Sequence, residues 1–342
     1  MAERLLTVTD LKVQFTTEDG VVRAVDGVSF ELERGKVLGI VGESGSGKSV
    51  TAMTVMGLTK DVNSRFEGEI IYKGKDLLQL SDDEMQSYRG AEIGMIFQDP
   101  MTSLNPVYRI GEQIVEAIQT HEKVDKRAAK NRAVELLRQV GIPNPESRID
   151  DFPHQFSGGM RQRAMIAIAL SCNPDVLIAD EPTTALDVTI QAQIIELIDR
   201  LKDDFNSAVI LITHDLGVVA DIADEILVMY AGNVVERAAT HDLFYDPQMP
   251  YTWGLLGSIP RLDRPRPDRL HSIKGSPPSL INIPRGCAFR PRCPHAFDRC
   301  LERPPLENHV DPPTHLDRCW LDVEYKRAHR GATIAGGQPE AA

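Results

Sequence analysis

Apolar and polar residues alternate over residues 5–15 and again over 21–32, with Glu18, Asp19 and Gly20 between the two runs. A period of two, broken by charge and glycine, predicts antiparallel strands joined by a turn. The pattern then changes. VLGIV (37–41), VLIA (176–179) and VILIT (209–213) are short apolar runs without alternation. Such runs mark strands covered on both faces of a parallel sheet. Further strands are predicted over 69–73 and 93–97, and a hairpin over 226–230 and 233–236 around Ala231 and Gly232. Helical spacing covers 111–121, 126–140 and 190–202, the second of these closed by Gly141 and Pro143. Strands alternating with helices predict an α/β fold, here a parallel sheet with an antiparallel flank at its start.

The pattern lapses beyond about residue 240. Seven of the 22 prolines precede that point and fifteen follow it. Cys172 alone lies in the first part, whereas Cys287, Cys293, Cys300 and Cys319 lie in the second. Residues 1–240 therefore read as one regular domain. Residues 241–330 read as a small Cys-rich C-terminal domain, rich in loops, that needs something besides an apolar core. Residues 331–342 read as a disordered tail.

At 342 residues the chain has room for two domains, and 42% apolar with 26% charged residues excludes a wholly disordered one. The charge balance, 38 − 50 = −12, argues against nucleic acid as a partner. The longest apolar run, over 164–170, has seven residues, against the ~20 of a membrane span. The opening MAERLLTVTDLKV carries charge and no apolar centre, which reads as no secretory signal, so a cytoplasmic location is expected.

GESGSGKS at 42–49 fits G-x-x-x-x-G-K-S, follows a predicted strand and opens a helical stretch over 49–58. Gly42, Gly45 and Gly47 let backbone N–H groups turn inward, so that they, with Ser44, Ser46 and Val50, surround phosphate. Lys48 neutralises the β- and γ-phosphates of ATP, and Ser49 is a ligand for Mg²⁺. The strand at 176–179 delivers Asp180 to the metal and Glu181 beside it, placed as general base toward the attacking water. His214 ends the next strand and is placed for the γ-phosphate. Gln98 ends the strand over 93–97, within reach of metal and water. Ser157, Gly158, Gly159 and Met160 open a further helix, predicted to run to about Cys172, and form a second anion site. The loop at 42–49 already holds one nucleotide's phosphates. The second site therefore implies a head-to-tail dimer in which each subunit closes the other's ATP.

Taken in order, Phe15, GESGSGKS, Gln98, FSGGM (156–160), VLIADE (176–181), Ala185-Leu186-Asp187 and His214 resemble an ATP-binding cassette (ABC) ATPase over residues 1 to about 240. The resemblance implies a RecA-like sheet with a helical subdomain over about 99–157. It makes Phe15 the aromatic that stacks on adenine and Asp187 part of the D-loop. Phe156 and Met160 depart from the common LSGGQ, while Ser157, Gly158 and Gly159 are kept. FQDPMTSLNP (97–106), HQFSGGMRQR (154–163), DEPTTALDVTIQAQI (180–194) and PYTWGLLGSIP (250–260) are similar to ATPase subunits of dipeptide and oligopeptide importers, most of all the D subunits of dipeptide permeases. That family implies a second related ATPase, two transmembrane permease subunits and an extracytoplasmic peptide-binding protein. It places the chain peripherally on the cytoplasmic face of the inner membrane.

The cysteines are spaced Cys287-x5-Cys293-x6-Cys300-x18-Cys319. A cytoplasmic setting disfavours disulfides, and four merely structural thiols do not fit so proline-rich a stretch. Spacing leaves Zn²⁺ and a [4Fe–4S] cluster open, since both take four thiolates. The resemblance to peptide importers implies the cluster. Arg285, Arg290, Arg292 and Arg299 stand near in sequence to offset its charge, while His295 and His315 read as surface residues. The competing function is ATPase work in another ABC system, either an importer of another substrate or a DNA-repair or translation factor. The 109 positions from Lys48 to Ser157 leave room for a small helical subdomain and no coiled coil.

Overall fold

The computed structural model describes residues 3–184, 186–259 and 272–335. The chain opens with the antiparallel pair β1 (Arg4–Thr17) and β2 (Gly20–Glu33), then β3 (Val37–Val41) and α1 (Lys48–Val55). Next come β4 (Ser64–Tyr72), β5 (Lys75–Asp76), α2 (Asp82–Gln86) and β6 (Ile93–Ile96). Four helices follow: α3 (Pro100–Ser103), α4 (Ile110–His121), α5 (Lys126–Gln139) and α6 (Pro145–Arg148). The chain then runs α7 (Gly158–Ala169), β7 (Val176–Asp180), α8 (Val188–Phe205), β8 (Ala208–Thr213), α9 (Leu216–Ile222), β9 (Glu225–Tyr230) and β10 (Asn233–Ala239). It closes with α10 (Thr240–Tyr245), α11 (Pro250–Gly257), β11 (Glu307–Asn308), β12 (Leu316–Asp317) and α12 (Val323–Ile334).

Two sheets result, one ordered β2-β1-β4-β5 and one ordered β11-β12-β10-β9-β3-β8-β7-β6. In the larger sheet β3 pairs in parallel with β8 on one side and β9 on the other, and β7 and β6 continue the parallel part. All five residues of β3 are buried, because both faces of the sheet are covered. Successive side chains point to opposite faces. Val37 and Val41 therefore join the core shared with α4, α5, α7 and α8, while Leu38 and Ile40 join the core shared with β1, β2 and β4. Each such side chain contributes about 1.5–3 kcal/mol by leaving water. The parallel strands all point their carboxyl ends to one edge, which collects the loops after β3, β6, β7 and β8.

Boundaries differ from expectation where local chemistry extends or stops an element. β4 starts at Ser64 because its pairing with β1 continues out to Phe15 opposite Ser64. α8 starts at Val188 because the Asp187 carboxylate accepts from the Ile190 N–H at 3.0 Å and caps it. α7 stops at Ala169, short of Cys172.

The region beyond residue 240, expected to need something besides an apolar core, takes a share in the main core. Tyr251, Leu256 and Phe289 belong to the same apolar cluster as β3 and α8, and Trp253 is fully buried. The residues of β3 and α8 in that cluster lie far from them in sequence, so no local periodicity announced their burial. β12 pairs with β10, Glu236 opposite Asp317, and so extends the large sheet. His295 and His315 are corrected too: they are 6% and 1% exposed. His315 Nε2 lies 2.8 Å from Glu236 Oε1, and His295 meets Tyr325 Oη and Thr333 Oγ1, each at 3.2 Å. Part of the predicted tail is helical, since α12 runs to Ile334 from its cap Asp322, which accepts from the Tyr325 N–H at 2.7 Å. Residues 336–342 of that tail, and 260–271 of the proline-rich stretch, lie outside the described residues.

Asp317 and Lys326 form a fully buried ion pair at 2.8 Å, with His309 Nδ1 at 2.9 Å from the other carboxylate oxygen. Breaking one side of such a pair strands the other charge. Asp317→Asn is expected to cost about 3–5 kcal/mol in chemical denaturation, and Asp317→Leu combined with Lys326→Met to regain most of it. A loss under 1 kcal/mol in Asp317→Asn, by the usual size of an exposed pair, contradicts the buried-pair account.

Candidate functional site

The loop at 42–49 sits at the carboxyl end of β3 and leads into α1, whose N-cap is Gly47. Gly42 and Gly47 have φ of 155° and 102°. A Cβ on Gly42 would lie 2.2 Å from the Met229 carbonyl oxygen, and one on Gly47 would lie 2.3 Å from that of Ala24. Only glycine fits at either position. Lys48 is buried and curls back over the loop, its Nζ donating to the Gly42 and Glu43 carbonyls at 2.8 and 3.1 Å. Burial pushes the Lys48 ammonium below its ordinary range, against the pull of Glu181, Asp180 and Glu43. Ser46 Oγ is buried with no hydrogen-bond partner. A loop with an orphaned hydroxyl, a curled lysine and a helix N-terminus fits a phosphate group. Ser44 and Gly45 lie exposed at its tip, and Val50 packs half-buried on the core of the smaller sheet.

The Ser49 hydroxyl donates to Asp180 Oδ1 at 2.9 Å. Asp180 ends β7 with 2% exposure, and burial raises its carboxyl above the usual range. Two oxygen donors so placed fit Mg²⁺, which takes oxygen ligands. Glu181 follows with φ 47°, a left-handed turn that swings its side chain away from the strand direction. Its Oε2 accepts from Gln98 Nε2 at 3.0 Å and Thr184 Oγ1 at 2.9 Å, and His214 Nδ1 lies 3.5 Å away. Three predicted residues from the ends of β6, β7 and β8 thus meet on one carboxylate. Thr184 was not foreseen, because a threonine three residues past the acid carries no distinguishing pattern.

Ser157 is the N-cap of α7, exposed, its Oγ accepting from the Met160 N–H at 3.3 Å. Phe156 is 2% exposed and anchors the turn in the core. A Cβ on Gly159 would lie 3.2 Å from Ile190, so the turn backs onto the start of α8 next to Asp187. Among the described residues no hydrogen bond or ion pair joins this turn to the 42–49 loop. Ala185 lies outside the described residues. Phe15 sits half-buried on β1, packed against the core of the smaller sheet.

Cys287, Cys293, Cys300 and Cys319 line one small pocket, with Phe289, His295 and Trp320 among its other walls. Among the described residues no three Cys, His, Asp or Glu side chains close on a point that could hold one metal ion. Burial pushes the Cys293 thiol up to about 12 and raises Cys287 and Cys319 as well. Of the four arginines expected near the cysteines, Arg290 also lines the pocket, Arg299 lies over the Trp320 ring at 3.9 Å, and Arg285 is exposed. Arg292 turns away to pair with Glu43.

A glycine-cradled loop that fits phosphate on a parallel sheet, an acid pair two strands over on β7 and an exposed Ser-Gly-Gly turn define an ATP-binding cassette. Residues 25–184 match the family model described as ABC transporter, and residues 235–300 match the oligopeptide/dipeptide transporter, C-terminal region. The chain is 55% identical over 320 residues to the oligopeptide transport ATP-binding protein OppD of Bacillus subtilis, covering 93% of this chain and 89% of that protein. It is 54% identical over 320 residues to the dipeptide transport ATP-binding protein DppD of Lactococcus lactis, covering 93% and 91%. The solved dimeric structure of MJ0796, a bacterial ABC transporter cassette, superposes with a TM-score of 0.62 at 27% identity, over 69% of this chain and 99% of that one. The chain belongs to the ABC transporter family, among the ATP-binding subunits of the oligopeptide and dipeptide systems. No helix among the described residues is long and apolar enough to cross a membrane.

Lys48→Ala removes the one ammonium held inside the loop. ATP affinity, measured by equilibrium dialysis, is expected to fall about tenfold or more. An unchanged affinity would overturn the assignment of the loop to phosphate.

Proposed function

We propose that this chain hydrolyses ATP to power uptake of dipeptides and oligopeptides through a membrane permease. One observation carries the catalytic part: Gln98, Thr184 and His214 converge on the Glu181 carboxylate beside the loop that encloses Lys48. Glu181 takes the proton of the attacking water, Gln98 and His214 hold water and γ-phosphate in place, and Lys48 with the Ser46 hydroxyl offsets phosphate charge. Gly42, Ser44, Gly45, Gly47 and Val50 complete the cradle, and Phe15 stacks on adenine. Ser49, Asp180 and Gln98 would hold Mg²⁺, which when bound supplies charge neutralisation between the β- and γ-phosphates.

Ser157, Gly158, Gly159 and Met160 act on the ATP of a second subunit, with Asp187 beside them. Support comes from the exposed turn, which makes no polar link to its own phosphate loop, and from Val188, 83% exposed at the start of α8. The dimeric cassette among the structural neighbours supports the same arrangement. The partner ATPase is a related chain, and the pair works under two permease subunits that receive peptide from an extracytoplasmic binding protein. A groove lined by Ser103, Tyr108, Gln113 and Ile168, beside the exposed Met101 and Val107, opens just past Gln98. It supports docking of a permease subunit on this face, which we place at the cytoplasmic side of the inner membrane.

We read residues 1–240 as the cassette, with its helical subdomain over about 99–157, and 241–330 as the peptide-transporter C-terminal domain. Its four cysteines hold a [4Fe–4S] cluster in a structural role. What supports a shared site is that all four thiols line one pocket. Zn²⁺ is the alternative, since it takes the same four thiolates.

Glu181→Gln is expected to keep ATP binding, to cut hydrolysis about 10²–10⁴-fold, and to elute as an ATP-bound dimer on gel filtration. Wild-type turnover would move the base elsewhere. Protein purified without oxygen is expected to be brown with about four irons per chain. In Cys293→Ser both iron and colour should go, and the region beyond residue 272 should become protease-sensitive. Colourless protein carrying one zinc per chain would replace the cluster with a zinc site.

A further inference from the structure

Glu43 occupies a position that the phosphate-loop pattern leaves open, yet every polar group it has is engaged. Its carbonyl accepts from Lys48 Nζ at 3.1 Å and from the Ser46 N–H at 3.2 Å. Its N–H donates to Tyr251 Oη at 2.9 Å. Its carboxylate takes a two-pronged bond from Arg292, with Nη1 to Oε2 at 2.5 Å and Nη2 to Oε1 at 2.9 Å. A planar guanidinium fork on a carboxylate fixes orientation as well as distance. Arg292 is itself held. Its side chain is 5% exposed, Nε donates to the Lys274 carbonyl at 3.0 Å, Nη2 to Gly275 at 3.2 Å, and Nη1 to Tyr230 Oη at 3.3 Å. Tyr251 packs on Tyr230 and on Phe289, with ring centroids 4.7 and 5.3 Å apart. Apart from Tyr230, these partners come from beyond residue 240, and the residue after Arg292 is Cys293, a wall of the thiol pocket.

We infer that Arg292 is a positioning residue for the phosphate loop, through which the cysteine-rich region sets the geometry of the nucleotide site. Arg292 touches neither nucleotide nor metal. It holds Glu43, and Glu43 presents the carbonyl and the turn on which Lys48 and the Ser46 N–H are arranged. With Arg292 gone, the loop keeps its sequence but loses the fixed point at its second residue. Tight ATP binding therefore requires a folded C-terminal region, although none of the phosphate contacts comes from it. The inference rests on the reading of residues 42–49 as the phosphate loop.

The test is ATP affinity of the full chain by equilibrium dialysis, with the melting temperature of the nucleotide-free protein recorded beside it. Arg292→Ala and Glu43→Gln are each expected to weaken ATP about tenfold, the worth of a charged hydrogen-bond pair. The double variant should be no weaker than either single within about twofold, because both remove one interaction. Arg292→Lys should recover part of the loss. Glu43→Gln leaves the C-terminal region untouched and so reads the loop even where Arg292→Ala folds poorly. Affinity unchanged in both single variants, with only the melting temperature lowered, would reduce the pair to a structural tie and overturn the inference. So would losses that multiply in the double variant. Lys48→Ala runs in the same assay: if it too binds ATP normally, the phosphate-loop reading fails and takes the inference with it.

Discussion

The close approach of the loop at 42–49 to the carboxyl edge of the large sheet governs the rest of this molecule. Gly42 presses on the Met229 carbonyl of β9 and Gly47 on that of Ala24 of β2, each so near that a Cβ would lie within 2.3 Å. The loop is thereby pinned between the two sheets, and α1 leaves it at a fixed angle toward β7. That angle brings the Ser49 hydroxyl to 2.9 Å from Asp180. From Asp180 the chain turns through the left-handed Glu181 and meets Gln98 and His214. One steric constraint thus places groups from four strand ends.

The electrostatics of the site follow from burial. A lysine whose ammonium is lowered by desolvation, a carboxyl raised by it and an unpartnered hydroxyl all stand in or against the loop at 42–49. Each is a cost in the free protein that an incoming polyanion and cation would relieve. Phosphate beside Lys48 favours its charged form, and a cation beside Asp180 favours the carboxylate.

The C-terminal region has a second tie to the cassette besides its share of the core. β12 extends the large sheet through β10, and Glu236, fully buried on β10, gathers His315 and the backbone N–H groups of Gln248 and Met249 at 2.8, 2.5 and 3.2 Å. Those bonds fix the start of α11, which carries Tyr251 to the N–H of Glu43. Buried polar groups with several partners hold one arrangement and penalise others. The thiol pocket is thus attached, through short segments, to the loop at 42–49.

The sequence by itself determined the parts whose chemistry is local. Glycine spacing marked the phosphate loop, unbroken apolar runs marked β3, β7 and β8, and an acid pair at a strand end marked Asp180 and Glu181, since each needs only a few neighbouring residues. Only the tertiary structure decided what depends on residues distant in the chain. Glu43 and Arg292 are 249 positions apart, and neither belongs to a pattern that predicts the other. His295 and His315 read as surface residues because their loops lack periodicity, yet α12 and β10 bury them. Thr184 joins Glu181 only because of a left-handed turn at the acid. Pairings of this kind arise when separate elements pack, and a linear pattern carries no record of which surfaces meet.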